Sequence, residues 1–468
     1  MAPSVQEIYH DTVDNTTPNV KASPSSSFDP NDISINARPC DLGRVSSLID
    51  DIASYNWGDI DFSKDRNARI SLLSKARSLV AALETPRETL IRHIGAETSN
   101  FYTIVIGIET NLFHEMAKDN GSPKTVTHLA SAISFDPDLL RRMLRHLAAM
   151  NHIIQTGSDE YRPNNFSKAL TTSPIAGSYQ FYRDICLPAM SNLHKWLKTK
   201  SYQSPQTIID NPFTFGHQTS QTFFEVIASS EKNNQHFNNH MVAYCQGQPA
   251  WCSPEVYPAF DRLITGFDPT PSSSSDGSEE EATLLVDIGG NVGHDLLTFS
   301  SCYPSHPGRL VLQDLPSVLS SAPPSLSSPS PTSSPRPIEL HPHNFFTPQP
   351  ILSARAYYLH HILHDWPDSK CLSILSYIKR AMKPGYSRLL INESIIPERK
   401  AGWEATYLDL YMMVLFGARE RTEREWRVLL EDGAGLKVVG VYGGPGGGVE
   451  GVEGVLECEV ALEDEEEQ

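Results

Sequence analysis

The sequence predicts a mainly helical N-terminal domain followed by an α/β domain with a parallel sheet. Residues 284–295 carry the strongest signal, because an apolar run that predicts a buried strand leads into three glycines and a possible helix. From residue 282 onward strand and helix patterns alternate, which is typical of parallel sheets. Residues 122–161 instead show two helix patterns followed by a strand, a turn and a strand. The chain is therefore expected to join a helical module to an α/β ligand-binding fold.

The composition of the chain argues against several classes of function. Its 468 residues suggest two or three domains, at roughly 100–200 residues for each. A formal charge of −18 argues against a nucleic-acid partner, since phosphate backbones bind basic proteins. Seven scattered cysteines without a CxxC pair indicate neither a disulfide framework nor a zinc site. Without a secretory signal or a long apolar run, we expect a cytoplasmic protein with no membrane partner.

The N-terminal part of the sequence divides into a tail and a helical domain. Residues 1–40 are polar and rich in serine, so we expect them to be disordered. Residues 41–268 are expected to form the helical domain, in which the pattern at 122–161 predicts a winged helix. Winged helices often bind DNA, but the acidic chain favours a dimerisation module. The aromatic-rich segments around 223–241 either fill a core or line a substrate pocket.

The α/β domain is expected over residues 282–445. Residues 320–337 are rich in proline and serine, which predicts a flexible surface insertion without a core. Residues 446–468, first glycine-rich and then acidic, are expected to be a tail outside the fold. The predicted strands are 284–288, 310–312, 338–341, 354–359, 388–393 and 436–441.

The glycine turn after the first predicted strand is a candidate ligand site. Asp287, Gly289, Gly290 and Gly293 form the pattern Asp-x-Gly-Gly-x-x-Gly, which differs from the Gly-x-Gly-x-x-Gly of dinucleotide binders. A helix that begins at such a turn directs its backbone amides at a ligand. Asp314 ends the second predicted strand, where doubly wound sheets bind the ribose of a nucleoside. The pattern therefore predicts an adenosine-containing ligand.

Residues 357–368, after the fourth predicted strand, hold the clearest catalytic signal. They place His364 at the carboxyl ends of the strands, where ligands bind in open α/β sheets. His360 and His364 could bind a metal, but no further ligand follows at a supporting spacing, and His364 could also be an inert core residue. A general base is favoured because Glu393 and Glu420 could each orient its imidazole.

These motifs resemble those of S-adenosylmethionine (SAM)-dependent O-methyltransferases of the caffeic acid type. The similarity is greatest to the fungal members that methylate secondary metabolites, and it spans about residues 100–445. It implies a Rossmann-like class I methyltransferase domain after a winged-helix dimerisation domain. The matching segments are the winged-helix region, the glycine turn and residues 233–241, 313–316, 364–368, 392–397 and 419–422.

The resemblance assigns a role to each matching residue. His364 would be the base, flanked by Glu393 and Glu420. The chain departs from the plant members of the family it resembles at two positions: they have Asp where it has Asn344, and Lys (often Arg in fungal members) where it has His360. The implied cofactor residues are Asp287, Gly289, Gly290, Gly293, Asp314, Asn344, Phe345 and His360, and the implied acceptor-pocket residues are Phe237, Met241, Asp409 and Met413.

The implied reaction is methyl transfer from SAM to a phenolic hydroxyl of an aromatic, polyketide-derived small molecule. A phenol with a pKa of about 10 is a poor nucleophile until a base such as His364 removes its proton. The resemblance also implies a homodimer and a reaction that needs no metal. The alternatives are an inactive methyltransferase-like protein that regulates a pathway and a nicotinamide-dependent dehydrogenase, which needs the other glycine spacing.

Overall fold

The computed structural model describes residues 32–56, 58–270, 281–326, 336–444 and 453–461, together with the backbone of two short strands at 272–273 and 279–280. No helix in these ranges is both long and apolar enough to cross a membrane.

Helices dominate the N-terminal domain, as the sequence predicts. A small antiparallel sheet, in the order β1-β3-β2, interrupts them. The elements are α1 (Val45–Ala53), α2 (Arg66–Leu83), α3 (Pro86–Ile91), α4 (Thr98–Glu109), α5 (Leu112–Gly121), β1 (Lys124–Thr125), α6 (Val126–Ala132), α7 (Pro137–Ala149), β2 (Ile153–Gly157), β3 (Glu160–Pro163), α8 (Asn165–Ala169), α9 (Ser173–Phe181), α10 (Leu187–Thr199), α11 (Pro212–His217), α12 (Phe223–Ala228) and α13 (Glu231–Cys245).

Local sequence explains the helix pair and hairpin expected at 122–161. Helix α7 begins where the Asp136 side chain accepts the N–H of Leu139 and Pro137 occupies the first helical position. Its apolar face, which includes Leu140 and Leu144, is buried in the core of this domain. The hairpin β2–β3 follows directly, and β1 adds a short third strand.

The second domain is built on a seven-stranded sheet in the order β13-β14-β10-β9-β6-β7-β8. Strand β14 runs antiparallel to both of its neighbours, whereas the pairs from β10 to β8 are parallel. The six predicted strands are all present, with small shifts at their ends. The elements are β4 (Ser272–Ser273), β5 (Glu279–Glu280), β6 (Thr283–Ile288), α14 (His294–Cys302), β7 (Arg309–Asp314), α15 (Pro316–Leu319), β8 (Ile338–Pro342), β9 (Ala356–His360), α16 (Asp368–Ala381), β10 (Arg388–Glu393), β11 (Ile395–Ile396), α17 (Trp403–Phe416), β12 (Arg421–Thr422), α18 (Glu423–Arg427), β13 (Lys437–Gly443) and β14 (Gly454–Glu459).

The expectation that residues 446–468 lie outside the fold is wrong. Strand β14 falls within them and is inserted between β10 and β13. The buried carboxylate of Glu457 obscures this strand in the sequence, because a charge is unusual in the middle of a sheet. Arg262 and Arg388 compensate it, with nitrogens 2.7 and 3.1 Å from its oxygens. Residues 445–452 and 462–468 lie outside the described ranges.

The predicted insertion at 320–337 is also too long. Leu326 is only 2% exposed and belongs to the core on one face of the sheet. A Cβ added to Gly293 would lie 3.2 Å from Leu326 Cδ1, so this residue packs directly behind the glycine turn. Residues 327–335 lie outside the described part of the chain.

The expected disorder of residues 1–40 is wrong for their last part. Residues Ile33–Ala37 form a 3₁₀ helix, capped by Asp32. The Cys40 N–H donates to the Glu84 carbonyl at 2.9 Å, which attaches this segment to the end of α2. Residues 1–31 lie outside the described ranges.

The two domains share an aromatic core that brings the N-terminal helices to the sheet. Helices α10 and α11 pack on α17, and the Asn211 amide donates to the Leu415 carbonyl at 3.2 Å. The shared core contains Phe181, Phe213, Phe223 and Phe416. It holds the aromatic segments of the first domain beside the loops that follow the strands.

Candidate active site

The carboxyl ends of β6, β7, β9 and β10 place most of the predicted site residues along one edge of the sheet. Asp287 lies near the end of β6, Asp314 ends β7, His360 ends β9 and Glu393 ends β10. Parallel strands end at the same edge, so residues more than 100 positions apart come together there.

The glycine turn requires its glycines at two positions for different reasons. Gly289 has a φ of +75°, and a Cβ there would lie 2.6 Å from Ile362 Cδ1. A Cβ on Gly290 would lie 2.3 Å from an oxygen of Asp287 and 2.5 Å from Leu312 Cδ1. The turn can therefore pack against both the sheet and the loop after β9 only without side chains.

Asp287 lies beside this turn, and its carboxylate has no hydrogen-bond partner in the part of the chain that the structure describes. Both of its carboxylate oxygens are buried and accept no hydrogen bond from the described residues. Burial, followed by the nearby Asp295 carboxylate, raises the pKa of Asp287 well above its usual value. A buried acceptor without a donor fits a ligand with cationic or N–H groups, as SAM has, at the glycine turn.

Asp314 is held by the backbone. Its two oxygens accept the N–H groups of Asn291 and Leu315 at 2.9 and 2.7 Å. Burial raises its pKa, although these hydrogen bonds act in the opposite direction. Each oxygen keeps a lone pair with which it could bind a ribose hydroxyl.

Asn344 and Phe345 lie in the turn after β8. The Asn344 side-chain oxygen accepts the N–H of Phe346 at 3.0 Å, which fixes the amide. Phe345 reaches back to the glycine turn, where its Cε1 would lie 3.6 Å from a Cβ on Gly289. The structure thus brings the predicted adenine residues to the same side of the sheet as Asp314.

His360 is enclosed by two carboxylates. Its Nδ1 lies 2.7 Å from Asp295 Oδ2, and its Nε2 lies 2.8 Å from Glu453 Oε2. Burial by itself would lower the pKa of His360, but Asp295 and Glu453 raise it well above the usual value. These two carboxylates therefore favour the protonated, cationic form of the ring.

His364 lies in a 3₁₀ turn, Leu363–Asp365, and is paired with Glu420. Its Nδ1 lies 2.6 Å from Glu420 Oε1 and 3.5 Å from Glu393 Oε2. All three side chains are buried. Glu393 also supports the turn, because its Oε1 accepts the backbone N–H groups of Ile362, Leu363 and His364.

The protonation of this pair follows from its burial. Burial lowers the pKa of His364 to about 4, despite the opposing charge of Glu393, so the ring is uncharged at neutral pH. Burial also raises the pKa of Glu420 to about 8. When Glu420 is ionised, Nδ1 donates to it and Nε2 carries the lone pair that can accept a proton, with Asp365 Oδ1 3.5 Å away.

The metal pair considered from the sequence, His360 with His364, is not a single group. Among the described residues, His360 clusters with His361 and Glu453, and His364 with Glu393 and Glu420. Each histidine thus has its own carboxylate partner.

The predicted acceptor residues lie on the helical side of the site. Phe237 is half-buried, with its ring 5.6 Å from those of Phe181 and Phe223. Met241 and Met413 are also half-buried, on α13 and α17. Asp409 differs from the other three, because its Oδ1 accepts the N–H of Glu420 at 3.0 Å.

Sequence reasoning missed Asp295, His361 and Glu453. Asp295 follows the glycine turn directly, so its position was a usable signal. His361 lies between two candidate residues and has a φ of +52°, which no sequence pattern indicates. Glu453 precedes the unrecognised strand β14, so nothing in the sequence linked it to the site.

Comparisons with known proteins agree with this geometry. A family model described as an O-methyltransferase domain matches residues 277–437. The O-methyltransferase mpaG of Penicillium brevicompactum is 34% identical over 400 residues, which cover 85% of this chain and 95% of that protein.

Solved structures are similar over nearly the whole chain. OxaC in complex with SAH and oxaline has a TM-score of 0.72 and 25% identity, over 90% of this chain and 98% of that one. A structure described as a pericyclic reaction enzyme has a TM-score of 0.73 and 28% identity, over 90% and 99% of the two chains. The glycine turn, the edge of the sheet and these relatives agree: the chain belongs to the family of SAM-dependent O-methyltransferases.

Proposed function

We propose that this enzyme methylates a phenolic hydroxyl of an aromatic, polyketide-derived small molecule, with His364 as the general base. The observation that carries the proposal is the buried pair of His364 and Glu420, 2.6 Å apart. His364 belongs to the loop after β9, which contacts aromatic rings of the N-terminal domain. Trp366 of the same loop stacks with Phe224 of α12, with ring centroids 6.4 Å apart. A flat phenol bound among these rings would present its hydroxyl to the base.

The protein's chemical task is to align the acceptor and remove its proton. Bound SAM supplies an electrophilic methyl group. His364 Nε2 takes the phenolic proton, and the Glu420 carboxylate stabilises the imidazolium that forms. The buried imidazole, with a pKa of about 4, is a weak base for a phenol of pKa about 10, so the transfer depends on the ionised Glu420 carboxylate, which stabilises the imidazolium as it forms. Glu393 holds the turn in place through the backbone.

The cofactor residues are proposed to act along the edge of the sheet. Asp287 and the glycine turn would hold the methionine part of SAM, and Asp314 its ribose. Asn344 and Phe345 would bind and cover the adenine. His360 would contribute positive charge, since carboxylates occupy both of its ring nitrogens.

The aromatic pocket supports a phenolic acceptor. Two tyrosines of the N-terminal domain lie against the proposed site, with the Tyr182 ring 5.3 Å from that of Tyr411 and the Tyr244 ring 5.7 Å from that of His361. Burial raises the pKa of both tyrosines far above the usual value, so they remain neutral hydrogen-bonding groups. Phe237, Met241 and Met413 are proposed to complete the walls, with Asp409 acting through Glu420.

A screen of phenolic acceptors with methyl-labelled SAM tests this function. We expect label on a phenolic oxygen for at least one polycyclic phenol, and none on the matching methyl ether. EDTA should leave the rate unchanged, because the base is a histidine–carboxylate pair. Transfer only to carbon or nitrogen, or abolition of activity by EDTA, would contradict the proposal.

We also propose that the protein forms a homodimer. The interface would include α3, α4 and residues 122–161, which would act as a winged-helix dimerisation module. Ile94 is 69% exposed, and several large apolar side chains near it in the sequence are exposed as well. Exposed apolar patches are typical of interfaces between subunits. The exposed apolar side chains near Ile94 in the sequence include Leu90, Ile91, Tyr102 and Ile106.

Light scattering at micromolar concentration tests the dimer. Ile94→Asp should convert it to a monomer, whereas Leu352→Asp, at an exposed apolar residue of the other domain, should not. A wild-type monomer would contradict the proposal.

A further inference from the structure

A row of titratable side chains lies beside His364, and the proposed proton transfer does not use it. The row consists of Asp295, His360, Glu453 and His361. Glu453, which precedes β14, contacts two consecutive histidines through its two carboxylate oxygens: a hydrogen bond to His360, and an ion pair without hydrogen-bond geometry to His361. Oε2 lies 2.8 Å from His360 Nε2, and Oε1 lies 2.9 Å from His361 Nε2. On its other side, His360 Nδ1 binds Asp295 at 2.7 Å. One carboxylate therefore joins the end of β9 to the last strand of the sheet.

His361 connects this row to the base. Its ring stacks on that of His364, with centroids 4.9 Å apart and planes 23° apart. Its backbone φ of +52° is unfavourable for a residue with a side chain and persists only where the surroundings enforce it. The His361 N–H donates to the Asn392 carbonyl at 3.2 Å, and Glu453 holds the ring. His361 is thus fixed as one wall against the face of His364.

The carboxylates of the row oppose the effect of burial on both histidines. Burial would lower the pKa values of His360 and His361, but Glu453 raises both and Asp295 also raises that of His360. The carboxylates of Asp295 and Glu453 thus favour the protonated form of His360, and those of Glu453 and Glu393 favour the protonated form of His361. The other titratable groups near His360 are Asp287 and Cys245, and those near His361 are Tyr244, His364, Glu393 and Glu420.

We propose that Glu453 is a positioning residue that holds His360 in the cofactor site and His361 against the base, so that one carboxylate organises both halves of the reaction. It would act on the cofactor through His360 and Asp295, which follows the glycine turn. It would act on proton transfer through the His361 ring, which restricts that of His364. The second effect rests on the proposed role of His364 as the base.

The substitution Glu453→Gln removes the charge at nearly constant size. Asp295 would still pair with His360, but the His361 ring would lose its nearest carboxylate, so burial should lower the pKa of His361 below the ordinary histidine value. Glu459→Gln is the matched control, because Glu459 also belongs to β14 but pairs with Arg388 and with Lys437, at 3.4 Å.

Imidazole ¹⁵N NMR of the cofactor-free protein tests the network without any reaction. We expect His360 and His361 to remain protonated through neutral pH in the wild type and in Glu459→Gln. In Glu453→Gln, the pKa of His361 should fall, so that its ring is uncharged at neutral pH. Unchanged titration in Glu453→Gln would overturn the proposal.

Calorimetry with SAH and steady-state kinetics test the two consequences. Glu453→Gln should bind SAH about tenfold more weakly and show a lower kcat at saturating SAM, whereas Glu459→Gln should match the wild type. Glu453→Asp keeps the charge but is too short to reach both rings, so we expect partial recovery of SAH affinity. Equal SAH affinity in wild type and Glu453→Gln would overturn the proposal, as would no recovery in Glu453→Asp. If NMR and calorimetry give the expected results but Glu453→Gln has the wild-type kcat, the role of His364 as the base would be refuted instead.

Discussion

The proposed cofactor side and the proposed acceptor side of this site are built in different ways. Backbone geometry forms much of the cofactor side: a turn that excludes side chains, and Asp314 held by two N–H groups. The acceptor side is built from side chains of distant segments, since His364 Nδ1 lies 2.6 Å from Glu420 and 3.5 Å from Glu393. Changes on the cofactor side should therefore mainly alter affinity and stability, whereas changes on the acceptor side should mainly alter turnover.

The largest effect on turnover is expected for His364→Ala. Loss of a positioned base typically lowers the rate by about 10²–10⁴-fold. Cofactor affinity should stay within about twofold, because the base contacts the acceptor and not the donor. Steady-state kinetics and calorimetry with SAH measure the two effects separately. Equal losses in both would remove the distinction between the two sides.

A smaller loss, about tenfold, is expected for Glu420→Gln, which can still orient the imidazole but lacks the charge. Because burial raises the pKa of Glu420 to about 8, its ionised form increases as pH rises. Wild-type kcat/KM should therefore rise with pH and level off above about pH 8, and this step should be absent in Glu420→Gln. A step of the same size in both proteins would assign it to another group.

Gly290→Ala should affect the cofactor side. The added Cβ would meet an Asp287 oxygen at 2.3 Å and Leu312 at 2.5 Å, so we expect a free energy of unfolding lower by about 1–3 kcal/mol and weaker SAH binding. Gly402→Ala is the control, because nothing lies within 4 Å of its Cβ position. Denaturant unfolding measures the free energy of unfolding, and calorimetry measures SAH affinity. Equal values for the two variants would show that Gly290 is not crowded by Asp287 and Leu312.

The smallest effect on turnover is expected for Leu326→Ala, behind the glycine turn. Truncation of this buried side chain should lower the free energy of unfolding by about 2–5 kcal/mol. Leu315→Ala, at a residue that is 46% exposed, should change it by less than about 0.5 kcal/mol. Turnover at saturating cofactor should change little in either variant. Similar unfolding curves for the two would show that residue 326 lies in a surface insertion after all.

The same contrast explains what the sequence could predict. The glycine turn, Asp314 and six strands follow from local patterns, so the sequence is sufficient to locate them. The 2.6 Å contact between His364 and Glu420 was inferred only as a possibility, because 56 residues separate the two in the chain. Glu453 was missed because β14 carries a buried Glu457 and follows a glycine-rich segment, which together resemble a tail. Long-range pairing of charged groups is the part that local patterns do not encode.

The pH dependence of His364→Ala with a phenolic acceptor tests the central claim most directly, because related folds include a pericyclic reaction enzyme as well as methyltransferases. If His364 only removes the phenolic proton, the variant should recover activity as the pH approaches the acceptor's own pKa of about 10, when the phenolate forms without help. The product should carry the labelled methyl group on oxygen. Wild-type turnover by His364→Ala at neutral pH, or SAM binding without any methylated product, would contradict this account.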